Sequence, residues 1–439
     1  MILLFAFNGF SQNWIPLDSG FNYQGRVLYT DTVLGKLFVG GAFTMVSGHD
    51  TYGIAAWDGS SWDTLDGGMG GLSQYCFNYV SKIKRFNNDL YVEGIFTYAS
   101  GKINSGFTKW SGTSWDSINI AFHLFNDCVD GTPANMCESN NLLYIVGLFD
   151  SVGSYYSPGI VAWDGNNWIQ IGIPHYASGN PAACCVFQNE LYMAGNYSDS
   201  LGILQGCSKW NGTSWTQVDI GGGGLVRNMV VYNNELYICG QYIGSNYSNL
   251  AKYDGNTFTY IGGDINSVIE NIEVINNKLF AVGAFDSIGG VLANDIAIWD
   301  GTNWSAFSSD SFNGTLSDIT VFNNELYVTG AFQTVNNVSG YNGIAKYQGW
   351  NLGENVVKEK SGVFVYPNPA SNRITITLPV LPSKEESLII TNVLGTTVYH
   401  QTLNNINTNI AVSGLSNGVY FYQLINEIET TRGKFVIER

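Results

Sequence analysis

The chain consists of short apolar runs separated by turn residues, and this pattern repeats along most of its length. The most constant phrase is Leu-aromatic-x-x-Gly-x-aromatic, which recurs seven times at intervals of 43 to 53 residues. Its copies are Leu37–Phe43, Leu90–Phe96, Leu143–Phe149, Leu191–Tyr197, Leu236–Tyr242, Leu279–Phe285 and Leu326–Phe332. Short alternating runs rich in β-branched and aromatic residues are typical of strands rather than helices.

Each copy is followed by a second phrase, an aromatic-x-Gly-x-x-aromatic motif such as Trp57–Trp62, in which the second residue is most often Asp and which stops after Gly349 in the last copy. A further apolar run then leads into a two-residue Asn-Asn turn, as in Val230–Tyr237. A complete repeat therefore holds four strands, named here A (before Asn-Asn), B (with the glycine), C (before Asp-Gly) and D (after it). Four antiparallel strands in a repeat of this size are typical of one propeller blade. The sequence predicts an all-β fold with a seven-bladed β-propeller over residues 13–350.

The seventh repeat lacks a strand D, because the pattern stops after Gln348 and Gly349. A matching segment lies near the start of the chain, where Trp14–Leu17 resembles the opening of strand D at Trp62. We therefore expect this N-terminal strand to complete the last blade. Closure of this kind would leave no sheet edge of the ring exposed.

Turn and glycine chemistry agree with this interpretation. Asn pairs such as Asn233-Asn234 tolerate the positive φ that a type I′ hairpin requires. The glycine of strand B predicts a close approach by a neighbouring strand or a tryptophan ring. The aromatic residues of strands B, C and D are expected to fill the space between sheets. The repeats resemble those of kelch and galactose-oxidase-type propellers, although the kelch double glycine is complete only at Gly40-Gly41.

A second domain is predicted at the C-terminal end of the chain. Residues 351–362 break the repeat pattern and are interpreted as a linker. Residues 363–439 then show period-2 alternation in several short runs, such as Arg373–Leu378 and Gly418–Leu424, with turn residues between them. Six or seven short strands in about 77 residues indicate a small Ig-like β-sandwich.

Four motifs in this segment occur in the order seen in the type A C-terminal sorting domain of type IX secretion cargo, and the segment resembles that family. The residues that carry the resemblance are Tyr366, Pro367, Asn368, Pro369, Gly395, Gly418, Tyr420, Gly433 and Lys434. The resemblance implies a Bacteroidota-type cell and export by the type IX secretion machinery. It also implies removal of this domain and release or anchoring of the protein at the outer-membrane surface.

Composition narrows the possible functions. The chain has 35 acidic and 19 basic residues and a formal net charge of -16. Such a surface repels phosphate backbones and anionic lipid headgroups, so no nucleic-acid partner is expected. Residues 1–12, MILLFAFNGFSQ, resemble the apolar core and cleavage site of a signal peptide. This run is too short to span a bilayer, and we expect no transmembrane segment.

Seven cysteines are present, without the CxxC spacing of a zinc site. Export permits a disulfide, and two pairings are open. Cys137 and Cys185 hold the same register in neighbouring repeats, whereas Cys128 and Cys137 are separated by a short loop. Cys207 and Cys239 fall at core positions of strands. Nothing in the sequence indicates a metal or cofactor.

The tight A–B and C–D links are expected at one face of the ring, and the longer B–C and D–A links at the other. Binding residues concentrate on such loops over a rigid scaffold. The candidate ligand-binding residues on these links are His49, Tyr75, Phe122, His123, Tyr155, Tyr156, His175 and Tyr176. The histidines lie on different blades and lack metal-ligand spacing. The aromatic rings can stack on sugar or peptide.

Two function classes remain open. The first is a monomeric, secreted or cell-surface binding or adhesion module for a glycan or protein ligand, without a cofactor. The second is an extracellular glycan-active or oxidative enzyme on the same scaffold. Catalysis needs convergent acid, base or metal groups, and the sequence contains no nucleophile elbow, HExxH or P-loop motif. No catalytic residue is therefore assigned, and the binding module is the preferred interpretation.

Overall fold

The computed structural model contains strands and no helix among the residues that it describes. These are residues 13–71, 78–104, 106–118, 122–123, 132–172, 178–198, 206–220, 225–243, 248–263, 265, 267–348, 364–366, 368–378, 386–393, 396–403, 405–425 and 430–439. The predicted signal segment, residues 1–12, lies outside them. The chain divides into two compact units, Met1–Trp350 and Asn351–Arg439.

The first unit contains seven four-stranded antiparallel sheets, each ordered A-B-C-D. The A strands are Gly25–Asp31, Tyr79–Phe86, Thr132–Ser139, Ser178–Phe187, Leu225–Tyr232, Ile269–Ile275 and Leu316–Phe322. The B strands are Lys36–Gly41, Asp89–Ile95, Leu142–Leu148, Glu190–Ser198, Glu235–Ile243, Lys278–Gly283 and Glu325–Gly330. The C strands are Ile54–Trp57, Phe107–Trp110, Ile160–Trp163, Cys207–Trp210, Ser248–Tyr253, Ile296–Trp299 and Ile344–Tyr347. The D strands are Trp62–Asp63, Trp115–Asp116, Trp168–Ile169, Trp215–Gln217, Phe258–Tyr260, Trp304–Ala306 and, for the seventh sheet, Trp14–Pro16.

Strand A of each sheet contacts strand A of the next, and the seventh contacts the first. We call the seven sheets the ring. The N-terminal strand completes the seventh sheet as predicted, because Trp14 pairs with Tyr347 just as Trp62 pairs with Trp57. The Trp14 side chain is 1% exposed, and its ring centroid lies 5.0 Å from that of Tyr347. The last sheet is therefore held together by both ends of the repeat region.

The tight turns follow the predicted chemistry. Asn233 and Asn234 have φ of 49° and 60°, the positive values that a type I′ hairpin requires. In the first C–D turn, Asp58 Oδ1 accepts hydrogen bonds from the backbone N–H groups of Ser60 and Ser61, both at 2.7 Å. Gly59 has a φ of 106° there, which favours glycine. The Asp58 carboxylate therefore satisfies backbone N–H groups of its own turn.

A one-residue bulge in strand A explains the glycine of strand B. In every sheet the register shifts by one residue opposite that glycine. In the fifth sheet Arg227 is the extra residue, and a Cβ on Gly240 would lie 2.0 Å from the carbonyl oxygen of Leu225. Of the two neighbours expected at this glycine, the strand is the one that approaches, because the bulge pushes its carbonyl outward.

The second unit contains a three-stranded and a four-stranded antiparallel sheet around one core. The strands of the first sheet, in spatial order, are Phe364–Tyr366, Arg373–Thr377 and Asn407–Ala411. Those of the second sheet are Thr397–Leu403, Glu386–Asn392, Gly418–Ile425 and Thr430–Ile437. Buried residues that alternate along these strands, such as Ile374 and Ile376, fill the space between the sheets.

Candidate functional site

The two ends of the sheets differ in their links. Because the strands are antiparallel, the A–B and C–D links emerge at one end and the B–C and D–A links at the other. We call the first end the turn face and the second end the loop face. The loop face is where the sequence predicts ligand binding.

The B–C links of five sheets form two-stranded hairpins rather than the irregular loops that we expected. Their strands are Met45–Val46 with His49–Asp50, Tyr98–Ala99 with Lys102–Ile103, Ser151–Val152 with Tyr155–Tyr156, Ser287–Ile288 with Val291–Leu292, and Thr334–Val335 with Val338–Ser339. Each hairpin stands at the loop face with its second strand outward. In the described parts of the B–C links, the loop face therefore carries five hairpins.

The D–A links attach these hairpins to the preceding sheet. A residue of the link pairs with the first hairpin strand of the next sheet. The pairs include Phe21–Val46, Phe122–Val152 and Phe312–Val335. Phe122 is fully buried, and its ring meets those of Phe149 and Trp168 edge-on. The prediction of Phe122 as a ligand-binding residue was therefore wrong, because its side chain packs beneath a hairpin.

The other predicted residues have different positions. His49, Tyr155 and Tyr156 are exposed on the outer hairpin strands of sheets 1 and 3, where His49 and Tyr155 occupy equivalent positions. Sheets 1 and 3 are separated by sheet 2, so these residues are not brought together. His123 lies in a short strand, but its side chain is outside the described part of the structure. Tyr75, His175 and Tyr176 also lie outside the described residues.

Exposed apolar side chains are concentrated at the loop face. The described part of the ring has ten large hydrophobic residues that are exposed, and nine of them lie at this face. They are Tyr23, Tyr52, Tyr98, Ile103, Tyr155, Tyr156, Leu225, Leu292 and Val338. The tenth, Val33, lies in an A–B link at the turn face. Not all of these residues were predicted from the sequence. Their position in the repeat could have revealed several of them, because they follow the hairpin turn of a B–C link.

A pocket of about 350 Å³ opens between the seventh and first sheets. One wall is the D–A link that crosses between these sheets, and the other is the end of strand B with its B–C link. The lining residues are Phe21, Asn22, Tyr23, Gln24, Gly330, Ala331, Phe332, Gln333, Asn342 and Gly343. Tyr23 is 61% exposed, so part of its ring is available to solvent.

The positively charged side chain of Arg26 is held in place beside this pocket. The Arg26 guanidinium lies over the Tyr79 ring at 4.3 Å from its centroid. It also donates to the carboxamide oxygen of Gln24, from Nη2 at 2.9 Å and from Nε at 3.2 Å. Arg26 is the bulge residue of the first sheet, which places it at the loop-face end of strand A. These contacts fix the orientation of the Gln24 carboxamide.

A ladder of polar side chains links the inner strands of the later sheets. Asn228 donates to Asn271, and Asn271 donates to Asp318. Asp318 in turn accepts from the backbone N–H of Leu28 at 2.7 Å, which joins the seventh sheet to the first. Each residue follows the bulge and accepts the next backbone N–H, as Asp318 does from Ile319 at 2.8 Å. The ladder therefore has a structural role, because its hydrogen bonds join neighbouring sheets.

Burial raises the pKa of several carboxyl groups of the ring. Burial raises the pKa of Glu273 to about 7, with a further contribution from the charge of Asp318. Burial also raises the pKa of Asp295 to about 7. Glu93 is completely buried without a hydrogen-bond partner for either oxygen, and this desolvation raises its pKa well above the usual range. Within the described ranges, no three His, Cys, Asp or Glu side chains are grouped so as to hold a metal ion.

Five cysteines lie in the described residues, and all are free thiols. Cys137 and Cys185 hold the same register, as predicted, but they form no disulfide. Cys128, the other predicted partner of Cys137, lies outside the described residues. Burial raises the pKa of the Cys207 thiol to about 12, so it remains protonated and unreactive.

In the second unit, the first and last sequence motifs meet. Asn368 Oδ1 accepts from the backbone N–H of Val436 at 2.8 Å, and the backbone of Ala370 bonds to Val436 and Glu438. The ring of Tyr420 stacks on Phe435, and its hydroxyl donates to the carbonyl oxygen of Ser416. Motifs that are far apart in the sequence are therefore in contact in the folded unit.

The glycine of the last motif faces an aromatic ring. A Cβ on Gly433 would lie 2.4 Å from the Tyr422 ring, so only glycine fits beneath it. Lys434 is exposed and Gly418 begins its strand, whereas Pro367, Gly395 and the side chain of Tyr366 lie outside the description. Most of the described motif residues therefore hold this unit together, and Lys434 is available for other contacts.

Residues 364–438 match the family described as the secretion system C-terminal sorting domain. The protein is therefore exported to the cell surface or outside the cell. A comparison of the chain with curated proteins finds no match. In the described residues, no helix is both long and apolar enough to cross a membrane.

Several solved structures are similar to the chain. One is PorZ, an essential surface component of the type-IX secretion system of Porphyromonas gingivalis, with 15% identity and a TM-score of 0.47 over 97% of this chain and 60% of PorZ. Another is the extracellular domain assigned to a hybrid two-component system of Bacteroides thetaiotaomicron, with 11% identity and a TM-score of 0.47 over 95% of this chain and 56% of that one. The chain thus spans less than two thirds of either protein.

Proposed function

We propose that this protein is an exported binding module, in which a seven-bladed β-propeller of the kelch-like kind recognises a glycan or protein ligand through its loop face. An Ig-like sorting domain at residues 363–439 delivers it to the type IX secretion machinery. The propeller occupies residues 13–350, and residues 351–362 link it to the sorting domain. The module acts as a monomer without a cofactor.

The observation that carries the proposal is the uneven distribution of exposed apolar residues. Nine of the ten described examples in the ring lie at the loop face. Exposed apolar groups gathered on one surface mark interaction sites more often than scattered ones do. Six of the nine lie in hydrogen-bonded hairpin strands, and this ordering reduces the conformational entropy that is lost when a ligand binds.

The delivery part of the proposal is tested by deleting residues 363–439 from the full chain in a host with type IX secretion. We expect the shortened protein to remain inside the cell envelope, measured by immunoblot of cell fractions and medium. A matched Lys434→Ala variant, which changes an exposed residue of the last motif, separates loss of folding from loss of recognition. Normal amounts of the shortened protein in the medium would refute the sorting role.

The binding part is tested with the purified full chain on arrays of defined glycans and of extracellular proteins such as mucin and collagen. We expect saturable binding to at least one member, with no turnover of that member in product analysis by mass spectrometry. Release of a shortened or oxidised glycan would instead support the enzyme class. Absence of binding on both arrays would contradict the proposal.

A further inference from the structure

The pocket between the seventh and first sheets has a specific chemical character. We propose that it binds an uncharged sugar ring, and this inference rests on the proposed binding function of the loop face. The pocket combines an exposed aromatic ring, side-chain amides and a floor of glycines, without an ionisable group other than the tyrosine phenol among its ten lining residues.

The walls of the pocket are fixed by hydrogen bonds within the protein. The backbone N–H of Phe21 donates to the carbonyl oxygen of Asn342 at 2.8 Å, and Asn342 Nδ2 donates to the carbonyl oxygen of Ser19 at 2.8 Å. On the other side, Asn22 Oδ1 accepts from the N–H groups of Thr44 and Met45. The pocket is therefore preformed, and the amide of Asn22 is already committed to the fold.

One side-chain amide remains for a ligand. Gln24 gives its oxygen to Arg26, so its carboxamide, like that of Asn22, is committed to the fold. Gln333 is exposed, and its side chain makes no hydrogen bond within the described structure. A carboxamide presents one acceptor and two donors side by side. Neighbouring hydroxyls of a sugar, each of which can donate and accept, match this arrangement.

The aromatic residue supplies the apolar part of the recognition. Tyr23 is 61% exposed at the pocket, more than any other tyrosine among the exposed hydrophobic residues. Its ring can cover the C–H face of a pyranose while its hydroxyl stays in water. Gly343 keeps the floor open, since a Cβ there would lie 3.1 Å from the carbonyl oxygen of Gly330 and 3.3 Å from the Phe21 ring.

Charge and size restrict the ligand further. No Lys, Arg, Asp or Glu lines the pocket, and the nearby Arg26 is already occupied by Gln24 and the Tyr79 ring. An anionic ligand would lose its hydration without gaining a dedicated partner. A volume of about 350 Å³ lies at the lower end of small-ligand sites, which suits one sugar ring rather than an oligosaccharide.

The test uses the purified full chain and free methyl glycosides of glucose, galactose, mannose and N-acetylglucosamine, with sialic acid as the charged arm. Saturation-transfer NMR and calorimetry should detect at least one neutral glycoside. Its affinity should fall about tenfold in Gln333→Ala and in Tyr23→Ala, since each removes a ligand contact worth about 1.4 kcal/mol. Val33→Ala, at an exposed residue of the turn face, should bind like the unaltered protein.

Three results would overturn the inference. They are binding of no neutral glycoside, equal affinity in both pocket variants, and binding of sialic acid alone. Thermal unfolding of each variant checks that the fold is intact, because all three substituted side chains are exposed. If no glycoside binds but the full chain still binds an arrayed protein, the pocket assignment fails while the proposed function stands.

Discussion

The turn face and the loop face are built from the same repeat but present opposite surfaces. At the turn face, lysines of strand C pair with carboxylates at the start of strand B. The pairs are Lys109–Asp89, Lys209–Glu190, Lys252–Glu235 and Lys346–Glu325, at 2.7 to 3.0 Å. Only Val33 is a large exposed apolar residue there, among those described. At the loop face, hairpins carry exposed aromatic and aliphatic residues instead.

The difference shows how the repeat separates folding from recognition. Turn-face links are short, and their polar groups are used within the link, as Asp164 accepts from the N–H groups of Asn166 and Asn167. Those bonds lower the pKa of Asp164, whose carboxylate is exposed but engaged. Loop-face links are longer, and their backbone bonds satisfy one another in hairpins, which leaves side chains free to vary.

The largest expected effect comes from opening the ring. Deletion of residues 13–20 removes Trp14, which is 1% exposed and packs against Phe312 and Tyr347, and leaves the outer edge of strand C of the seventh sheet unpaired. Loss of a buried aromatic of this size alone costs about 3–5 kcal/mol. We expect unfolding or edge-to-edge polymerisation, measured by light scattering and thermal unfolding. A monomeric variant with unchanged thermal stability would show that the two faces do not need a closed ring.

A smaller effect tests the bulges at the loop-face end of the sheets. Gly240→Ala would place a Cβ 2.0 Å from a backbone carbonyl, so we expect a loss of about 2–4 kcal/mol in the free energy of unfolding by denaturant. Gly70→Ala is the matched control, since a Cβ there meets nothing within 4 Å. It should change stability by less than about 0.5 kcal/mol. Equal effects in the two variants would argue against the bulge as the reason for the glycine.

The buried Glu93 gives a pH-dependent contrast with the turn face. Its folded-state pKa is raised by burial, and the opposing charge of Lys82 offsets this only in part. The protonated form is therefore favoured by folding. Its contribution to stability is complete below the unfolded pKa of about 4.5 and is lost as the pH rises toward the folded value, by up to about 1.4 kcal/mol per pH unit.

Glu93→Gln should accordingly match the unaltered protein near pH 4.5 and exceed its stability at pH 8, measured by urea unfolding across that range. The control is Glu325→Gln at the turn face, which loses an ion pair to Lys346 at 3.0 Å. That partly exposed pair is worth about 0–1 kcal/mol, so the control should be slightly less stable at pH 8. If Glu93→Gln had the same free energy of unfolding as the unaltered protein at every pH, this would contradict a raised pKa for Glu93.

The parts of the fold that repeat were predictable, because seven copies of one pattern average out local exceptions. Trp14 could be placed beside Tyr347 since six other strand D residues show the same pairing. The two-residue turns followed from Asn pairs alone. The bulge was not predicted. A register shift does not show in the alternation of apolar and polar residues, and its only sign in the sequence is the glycine opposite the bulge.

The candidate site was less predictable because its contacts join different repeats. Phe122 looked like an exposed loop residue, yet its partner Val152 belongs to the hairpin of the next sheet. The pocket is formed by Gln24 near one end of the repeat region and Gln333 near the other, which no local pattern connects. Glu93 occupies a position that is small or apolar in most sheets, and its burial depends on neighbours rather than on its own sequence context.

The most direct test of the account compares a double substitution on the loop face with a single substitution on the turn face, and measures the binding of both variants to the same partner. The variant Tyr156→Ser with Leu292→Ser removes two exposed loop-face side chains, whereas Val33→Ser removes the turn-face example. All these changes are exposed, so the free energy of unfolding should stay within about 0.5 kcal/mol. Binding to the arrayed ligand, measured by surface plasmon resonance, should weaken at least about tenfold in the loop-face variant alone. Equal affinity in both variants, or loss only in Val33→Ser, would contradict the loop face as the binding surface.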